Sequence, residues 1–256
     1  MALLISYNEG MRLPQPLRFV VDALFPPRCL ACETFLASNT KNFLCEQCAV
    51  SICVFDAAQC PRCGARLPEG RQTCHNDAGY VLFAGASYGN VVVRELIRTL
   101  KYDSFERAAI PIAHLISLHL EHASCFFEFL GKGIWVAIPI PLHPRKERKR
   151  GFNQATIITK ELIRLAVAFH HSFPQMTEHI LLRTRATESQ TKCEGSKERA
   201  ENVSGAFTIT HPETVRGKNV LLIDDVFTSG ATMNEAVRAL KKNGAKKIFA
   251  LVAAKA

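Results

Sequence analysis

The stretch that most constrains the fold is residues 220–232, which read VLLIDDVFTSGAT. It opens with four consecutive apolar residues, which are too few for a helix and lack the alternation of a half-exposed strand. Such a run is typical of a strand that is buried on both faces of a parallel sheet. Two acids, Asp224 and Asp225, follow at its C-terminal end.

Small and hydroxyl-bearing residues follow the two acids and precede a segment with helical apolar spacing. Free backbone N–H groups, hydroxyls and the positive end of a helix dipole thus coincide, and this combination binds phosphate. Carboxylates accept hydrogen bonds, so the acids suit a sugar diol or a metal carried in with the ligand. The predicted ribose-phosphate site comprises Asp224, Asp225, Thr228, Ser229, Gly230, Ala231 and Thr232.

This pattern resembles the signature of type I phosphoribosyltransferases, which bind 5-phosphoribosyl-1-pyrophosphate (PRPP) through an apolar strand, two acids and a Thr/Ser/Gly loop. The resemblance implies an α/β fold in which helices flank a parallel sheet, and Mg²⁺ bound together with PRPP. The alternative is an ordinary strand-to-helix turn in which Ser229 or Thr232 is only an N-cap. A cap alone does not require paired acids and a glycine in the same turn.

Length and composition allow one α/β domain and a small module, since the chain has 256 residues and is 48% hydrophobic. The net charge of +9 favours polyanionic partners, either nucleic acid or pyrophosphate. Residues 1–24 are expected to be a tail with a short docking helix, and a membrane-surface helix is the alternative. No apolar run approaches membrane length, so we expect a cytoplasmic protein without membrane insertion.

Paired cysteines dominate residues 25–79, which we interpret as a zinc-ribbon-like module. In a cytoplasmic chain, two CxxC pairs in series favour tetrahedral zinc over disulfides. The predicted ligands of the first zinc are Cys29, Cys32, Cys45 and Cys48. A possible second zinc has Cys60, Cys63 and Cys74, with Asp77 preferred as the fourth ligand. His75, which directly follows a cysteine, is the alternative fourth ligand, and an unmetallated second knuckle also remains open.

Apolar periodicity begins near residue 80, so residues 80–256 are predicted to form the phosphoribosyltransferase-like domain. Strands are predicted at residues 80–88 and 134–140, and helices at residues 91–100 and 108–120. The sequence predicts that Lys101 is a solvated helix end, although a phosphate contact is possible.

The second strand leads into a basic stretch, predicted to be a loop, in which five of the six residues from 145 to 150 are cationic. Ligands of open α/β sheets bind at the C-terminal ends of strands, so this stretch suits a charged anion. Residues 183–207 are polar and lack a sustained apolar face, so they are predicted either to close over a substrate or to be a flexible linker. The candidate pyrophosphate or DNA contacts are Arg145, Arg148, Arg150 and Arg199.

Taken in order, the cysteine pairs, the RGFNQ segment at residues 150–154, the polar loop with Arg199 and the DD…TSGAT motif resemble the ComF family of competence proteins. The resemblance covers nearly all of the chain from Phe25 onward. It implies an N-terminal zinc module on a phosphoribosyltransferase fold and a role in handling single-stranded DNA during natural transformation, with other competence proteins as possible partners. One departure is Asp77, which stands where the family's last cysteine is usual.

Two functions remain open. As an enzyme, the protein would displace pyrophosphate from PRPP onto an acceptor, but the sequence identifies no base to activate that acceptor. As a nucleic-acid-binding module, it would contact the DNA backbone through its loops and zinc knuckles, with PRPP as a regulatory ligand. Aromatic platforms for bases would favour DNA, but Tyr88, Tyr102 and Phe152 are scattered in the sequence, and Trp135 is expected in the core.

Overall fold

A computed structural model of the chain describes residues 26–37, 43–68, 74–75, 77–103, 105–123, 125–185 and 203–256. The predicted tail helix, Arg199 and most of the predicted polar loop lie outside these residues. The strands are β1 Val81–Ser87, β2 Trp135–Pro139, β3 Gln175–Met176, β4 Leu181–Arg183, β5 Phe207–Ile209, β6 Asn219–Phe227 and β7 Ile248–Lys255. The helices are α1 Glu46–Val50, α2 Val91–Tyr102, α3 Ala109–His122, α4 Cys125–Leu130, α5 Pro144–Arg150, α6 Gln154–Ala168, α7 Pro212–Val215 and α8 Ala231–Lys242, and a 3₁₀ turn spans Glu106–Ala108.

Five of the strands form one sheet in the order β1-β7-β6-β2-β3, and every neighbouring pair is parallel. Strand β3 lies beside β2 toward one edge of the sheet, whereas β7 lies beside β6 toward the other edge. The chain therefore reverses its direction of winding between β2 and β6. In open α/β sheets the ligand crevice lies at such a switch point, beyond the carboxyl ends of the strands.

The buried strands predicted from their apolar runs are confirmed, since β2 and the first five residues of β6 are buried throughout. One face of the sheet is covered by α3 and α6, and the other by α8 and the β4–β5 hairpin. Trp135 packs against Phe249 with ring centroids 4.7 Å apart, as expected for a core residue. The parallel pairing of β2 with β6, covered on both faces, holds the C-terminal ends of the two strands side by side.

The cysteine-rich segment packs directly on the edge strand β1. Phe55 N donates to Gly85 O at 2.8 Å, and Gln59 N donates to Leu82 O at 2.7 Å. Buried Cys29 and Cys60 belong to the same apolar cluster as the α3–α6 face of the sheet. The cysteine-rich segment therefore covers an edge strand that would otherwise expose unpaired backbone groups.

One predicted loop is a helix in the structure. The basic stretch after β2 forms α5, which His143 caps by accepting a hydrogen bond from Arg145 N at 3.2 Å. Gly151 ends the helix with φ of 92°, a backbone conformation that glycine adopts without strain. Proline at the first turn and glycine after the last residue are both signals of a helix. The segment has no apolar periodicity, so hydrophobic patterning alone does not predict this helix. Among the described residues, no helix is both long and apolar enough to cross a bilayer.

Candidate functional site

The predicted phosphate turn lies between β6 and α8. Strand β6 continues through both acids to Phe227, and Gly230 occupies the N-cap of α8 with φ of 74°. A side chain at this position would place its Cβ 2.7 Å from the ring of Phe227. The turn therefore requires glycine for its conformation and for its close packing.

Thr228, Gly230, Ala231 and Thr232 of the turn line the cleft, whereas Ser229 lies behind them. The hydroxyl oxygen of Ser229 is buried, and among the described residues it has no hydrogen-bond partner. The first amides of α8 have no partner within the helix, because the opening turn of any α-helix lacks upstream carbonyls. The N-cap of α8 is Gly230, which has no side chain to accept a hydrogen bond from the helix. The alternative in which Ser229 or Thr232 is a simple N-cap is therefore not observed.

The two acids have different surroundings. Asp225 is 3% exposed, and its Oδ2 lies 2.8 Å from Lys101 Nζ at the end of α2. Burial would lower the pKa of Lys101, but the charge and hydrogen bond of Asp225, together with the charge of Asp224, outweigh it, and the pKa lies above its ordinary value. The prediction that Lys101 is a solvated helix end is therefore wrong, because it forms an ion pair with a carboxylate at the site.

Asp224 lies half-buried on the cleft side of the sheet edge. Burial, together with the neighbouring charge of Asp225, raises the pKa of Asp224 to about 7, although Lys101 opposes the shift. A carboxyl group with this pKa is only about half ionised at neutral pH, because its surroundings disfavour the charged form. A hydroxyl donor or a cation at Asp224 would stabilise the charged form.

A cleft of about 430 Å³ opens at the switch point between β2 and β6. One wall is cationic and carries Lys146, Arg150 and Arg183. Partial desolvation and the charges of Arg183 and Arg150 lower the pKa of Lys146. Clustered cations that disfavour one another's charge are an arrangement that a phosphate anion would stabilise.

The structure separates the predicted basic residues. Arg150 lines the cleft and donates to Gln154, whereas Arg145 and Arg148 are exposed on α5 and are absent from the cleft lining. Sequence reasoning missed Lys146 as a lining residue, although Lys146 and Arg150 are four residues apart and so share one helix face. It also missed Arg183, whose guanidinium lies 5.5 Å from the ring centroid of Phe207.

The first predicted zinc site is assembled in the structure. The sulfur atoms of Cys29, Cys32, Cys45 and Cys48 all lie within 4.8 Å of one another, and Cys32 Sγ is 3.6 Å from Cys45 Sγ. A tetrahedral zinc with Zn–S bonds of 2.3 Å places its sulfur ligands about 3.8 Å apart. The four thiolates therefore fit one zinc ion.

The second cluster differs from the prediction in its fourth ligand. His75 Nδ1 lies 3.5 Å from Cys60 Sγ and 3.2 Å from Cys74 Sγ, and the four potential ligand atoms, including Cys63 Sγ, are within 4.8 Å of one another. Asp77, which the sequence analysis preferred, instead pairs with Arg62 on the surface. The cluster has the Cys₃His composition of structural zinc sites. Adjacency of Cys74 and His75 does not prevent both side chains from reaching the same point.

Comparison with protein-family models finds two domains in the chain. Residues 165–256 match the phosphoribosyl transferase domain, and residues 20–76 match the double zinc ribbon domain. The first match includes β6, the phosphate turn and α8, and the second includes both cysteine clusters.

Relatives align over most of the chain. DNA utilization protein YhgH of Shigella flexneri is 29% identical over 87% of this chain and 94% of its own. Competence protein F of Haemophilus influenzae is 28% identical over 86% of this chain and 93% of its own. Competence protein ComFC of Bacillus subtilis is 34% identical over 43% of this chain and 40% of its own. The chain thus combines a double zinc ribbon domain with a phosphoribosyl transferase domain, and its relatives confirm the resemblance to the ComF competence proteins.

Proposed function

We propose that the cleft binds PRPP, or a related phosphoribosyl ligand, together with Mg²⁺, and that the protein handles single-stranded DNA during DNA uptake. The observation that carries the proposal is the position of Asp224 between a phosphate turn and a cationic wall. The buried hydroxyl of Ser229 supports it, since a buried polar atom without a partner is costly unless a ligand satisfies it.

Each part of the ligand has a matching group in this proposal. The 5′-phosphate occupies the turn at residues 228–232, at the positive end of α8. Asp224 accepts hydrogen bonds from the ribose hydroxyls, and the pyrophosphate faces Lys146, Arg150 and Arg183.

Magnesium fits the donor set because Mg²⁺ is usually held by one or two carboxylates together with substrate phosphates. Asp224 is the carboxylate available for this role, since Asp225 is already paired with Lys101. The bound ion would neutralise phosphate charge, while the residues of the chain orient the ribose.

The DNA part of the proposal rests on the relatives' names and on charge. Arg145, Arg148 and Lys149 are exposed on α5, beside the cleft, and suit contact with a phosphate backbone. The chain as a whole carries a net charge of +9. The thiol-rich zinc clusters suit a reducing compartment, so we place this function in the cytoplasm, with other competence proteins as partners.

The second candidate function is an active phosphoribosyltransferase. An acceptor would attack C1 of the ribose, and pyrophosphate would leave with its charge stabilised by the cationic wall. Among the described cleft residues, Asp224 with its pKa of about 7 is the group whose titration suits proton transfer near neutral pH.

Calorimetry with PRPP and Mg²⁺ tests the ligand. Asp224→Asn removes the carboxylate charge with little change of shape, and Glu213→Gln makes the same change at an exposed residue of α7. We expect the cleft variant to lose at least about tenfold in affinity, because hydrogen bonds to charged groups contribute about 1.5–3 kcal/mol. Equal PRPP affinity in wild type, Asp224→Asn and Glu213→Gln would refute the assignment.

Pyrophosphate release separates the two candidate functions. An enzyme releases pyrophosphate from PRPP when its acceptor is supplied as a free base or as single-stranded DNA. A DNA-binding module releases none, and its affinity for DNA falls steeply as salt is raised. In that case Arg148→Gln lowers the slope of log affinity against log salt by roughly 1 for each lost phosphate contact.

A further inference from the structure

Helix α2, which follows β1, forms one wall of the cleft, and α5, which follows β2, lies on the other side of β6. Arg94, Arg98, Lys101 and Tyr102 all line the cleft. Their spacing of three and four residues places them on one stripe of the helix. The opposite face of α2 is fixed in the core, where its buried residues are Val92, Val93, Leu96, Ile97, Thr99 and Leu100. The direction in which the stripe faces is therefore set by packing.

Two tyrosines line this wall of the cleft. Tyr88, just after β1, and Tyr102, at the end of α2, line the same cleft although fourteen positions separate them in the sequence. Tyr102 is 67% exposed, so its ring is accessible to a ligand in the cleft. The structure thus assembles aromatic groups that the sequence analysis treated as scattered.

The charges on this wall are largely balanced. Arg98 pairs with Glu95 at 2.6 Å and with Asp103 at 3.2 Å, and Lys101 pairs with Asp225. The facing wall, with Lys146, Arg150 and Arg183, carries three cationic side chains. The cleft therefore has a cationic side for phosphate and an aromatic side of low net charge.

We infer that the wall formed by Tyr88 and Tyr102 is a nucleobase-stacking subsite, and that its occupant is a base of single-stranded DNA. A base has a π-face that stacks on tyrosine whatever its sequence, and a base in a strand is joined to phosphates that the exposed cations of α5 beside the cleft can bind. The exposure of Tyr102 leaves the subsite open to solvent, so a continuing strand can pass out of the cleft. This inference rests on the proposed function and names where that site holds DNA.

The test compares strands with and without bases, using the full-length zinc-loaded protein. Fluorescence anisotropy measures binding of a thymidine oligonucleotide of about 15 nucleotides and of an abasic strand of the same length. Tyr102→Ala removes the ring, and Tyr102→Phe keeps it. Phe35→Ala is the matched control, since Phe35 is 60% exposed and lies 4.7 Å beneath the Arg28 guanidinium, away from the cleft.

We expect Tyr102→Ala to weaken binding of the thymidine strand about 5- to 100-fold, because stacking on an aromatic contributes about 1–3 kcal/mol per base. Binding of the abasic strand stays unchanged, and both Tyr102→Phe and Phe35→Ala bind the thymidine strand as wild type does. Equal losses for both strands, no loss for either, or a larger loss from Phe35→Ala would overturn the inference.

Two further measurements identify the source of the base and distinguish failure of this inference from failure of the proposed PRPP site. Free thymine or adenine that displaces the thymidine strand at micromolar concentration would contradict a DNA occupant and indicate a free base. A wild-type protein that binds the thymidine strand through Tyr102 but does not bind PRPP would refute the proposed PRPP site and leave the stacking subsite standing.

Discussion

Asp224→Asn should make the unliganded protein more stable, and increasingly so as pH rises. The pKa of Asp224 is raised from 3.8 to about 7 by burial and by the charge of Asp225. A carboxyl group with a raised pKa in the folded state destabilises the fold at every pH where the unfolded chain has already released its proton. Asparagine cannot ionise, so the variant escapes this cost.

The size of the effect follows from the pKa shift. A shift of about 3 pH units corresponds to on the order of 4 kcal/mol when the group is fully ionised in both states. The cost begins above the unfolded pKa of 3.8 and stops growing once pH exceeds the folded value of about 7. Between about pH 6 and pH 8, the stability difference between variant and wild type should therefore increase by about 1 kcal/mol.

Urea denaturation provides the assay, because the single tryptophan, Trp135, is buried on β2 beside β6 and reports on loss of the sheet. Titrating groups that do not interact with Asp224 contribute equally to both proteins, so they cancel in the difference. A stability difference that does not change with pH, or a wild type more stable than Asp224→Asn at about pH 8, would refute the electrostatic reasoning.

Three further predictions concern the residues that support the site and the metal. Lys101→Met should lower the free energy of unfolding by about 3 kcal/mol in urea titrations, because it leaves its partner carboxylate buried and unpaired; an unchanged midpoint would contradict the ion pair. Gly230→Ala should destabilise the fold by more than Gly217→Ala, since both have positive φ but only the former adds a clash; equal losses would show that conformational strain alone matters. His75→Ala should reduce zinc content from two ions to one per chain by metal analysis, whereas Asp77→Ala should retain two; the reverse pattern would restore the ligand preferred from sequence.

The centre of the site could be predicted from sequence because its parts are contiguous. Residues 220–232 contain the strand, the acids, the turn and the helix start, and local chain geometry alone brings these parts together. The first zinc site was predictable for a similar reason, since each CxxC pair presents two thiolates to one metal. The apolar runs of the buried strands were also sufficient to predict a parallel sheet.

The remaining parts depend on contacts between distant segments. Lys101 pairs with Asp225 although more than a hundred residues separate them in the sequence. Tyr88 and Tyr102 line the same cleft because the fold brings the end of β1 and the end of α2 to one side of it. Spacing rules within one segment cannot predict contacts between segments that are distant in the sequence. The order of the parallel strands, which places α5 beside the phosphate turn, likewise follows from tertiary packing.

The fourth ligand of the second zinc cluster shows how a local rule can mislead. Asp77 was preferred because it stands where a further CxxC pair would be completed after Cys74, and the strain expected between adjacent ligands disfavoured His75. In the structure the imidazole of His75 reaches the thiols of Cys60 and Cys74, while Arg62 draws the Asp77 carboxylate to the surface.

A crystal structure of the protein with PRPP and Mg²⁺ tests the central claim most directly. We expect the 5′-phosphate in the turn at residues 228–232, within about 3 Å of Ser229 Oγ, with the ribose hydroxyls against Asp224. The pyrophosphate is then expected beside Lys146 and Arg150. Ligand bound with its pyrophosphate in the turn, or bound outside this cleft, would contradict the account.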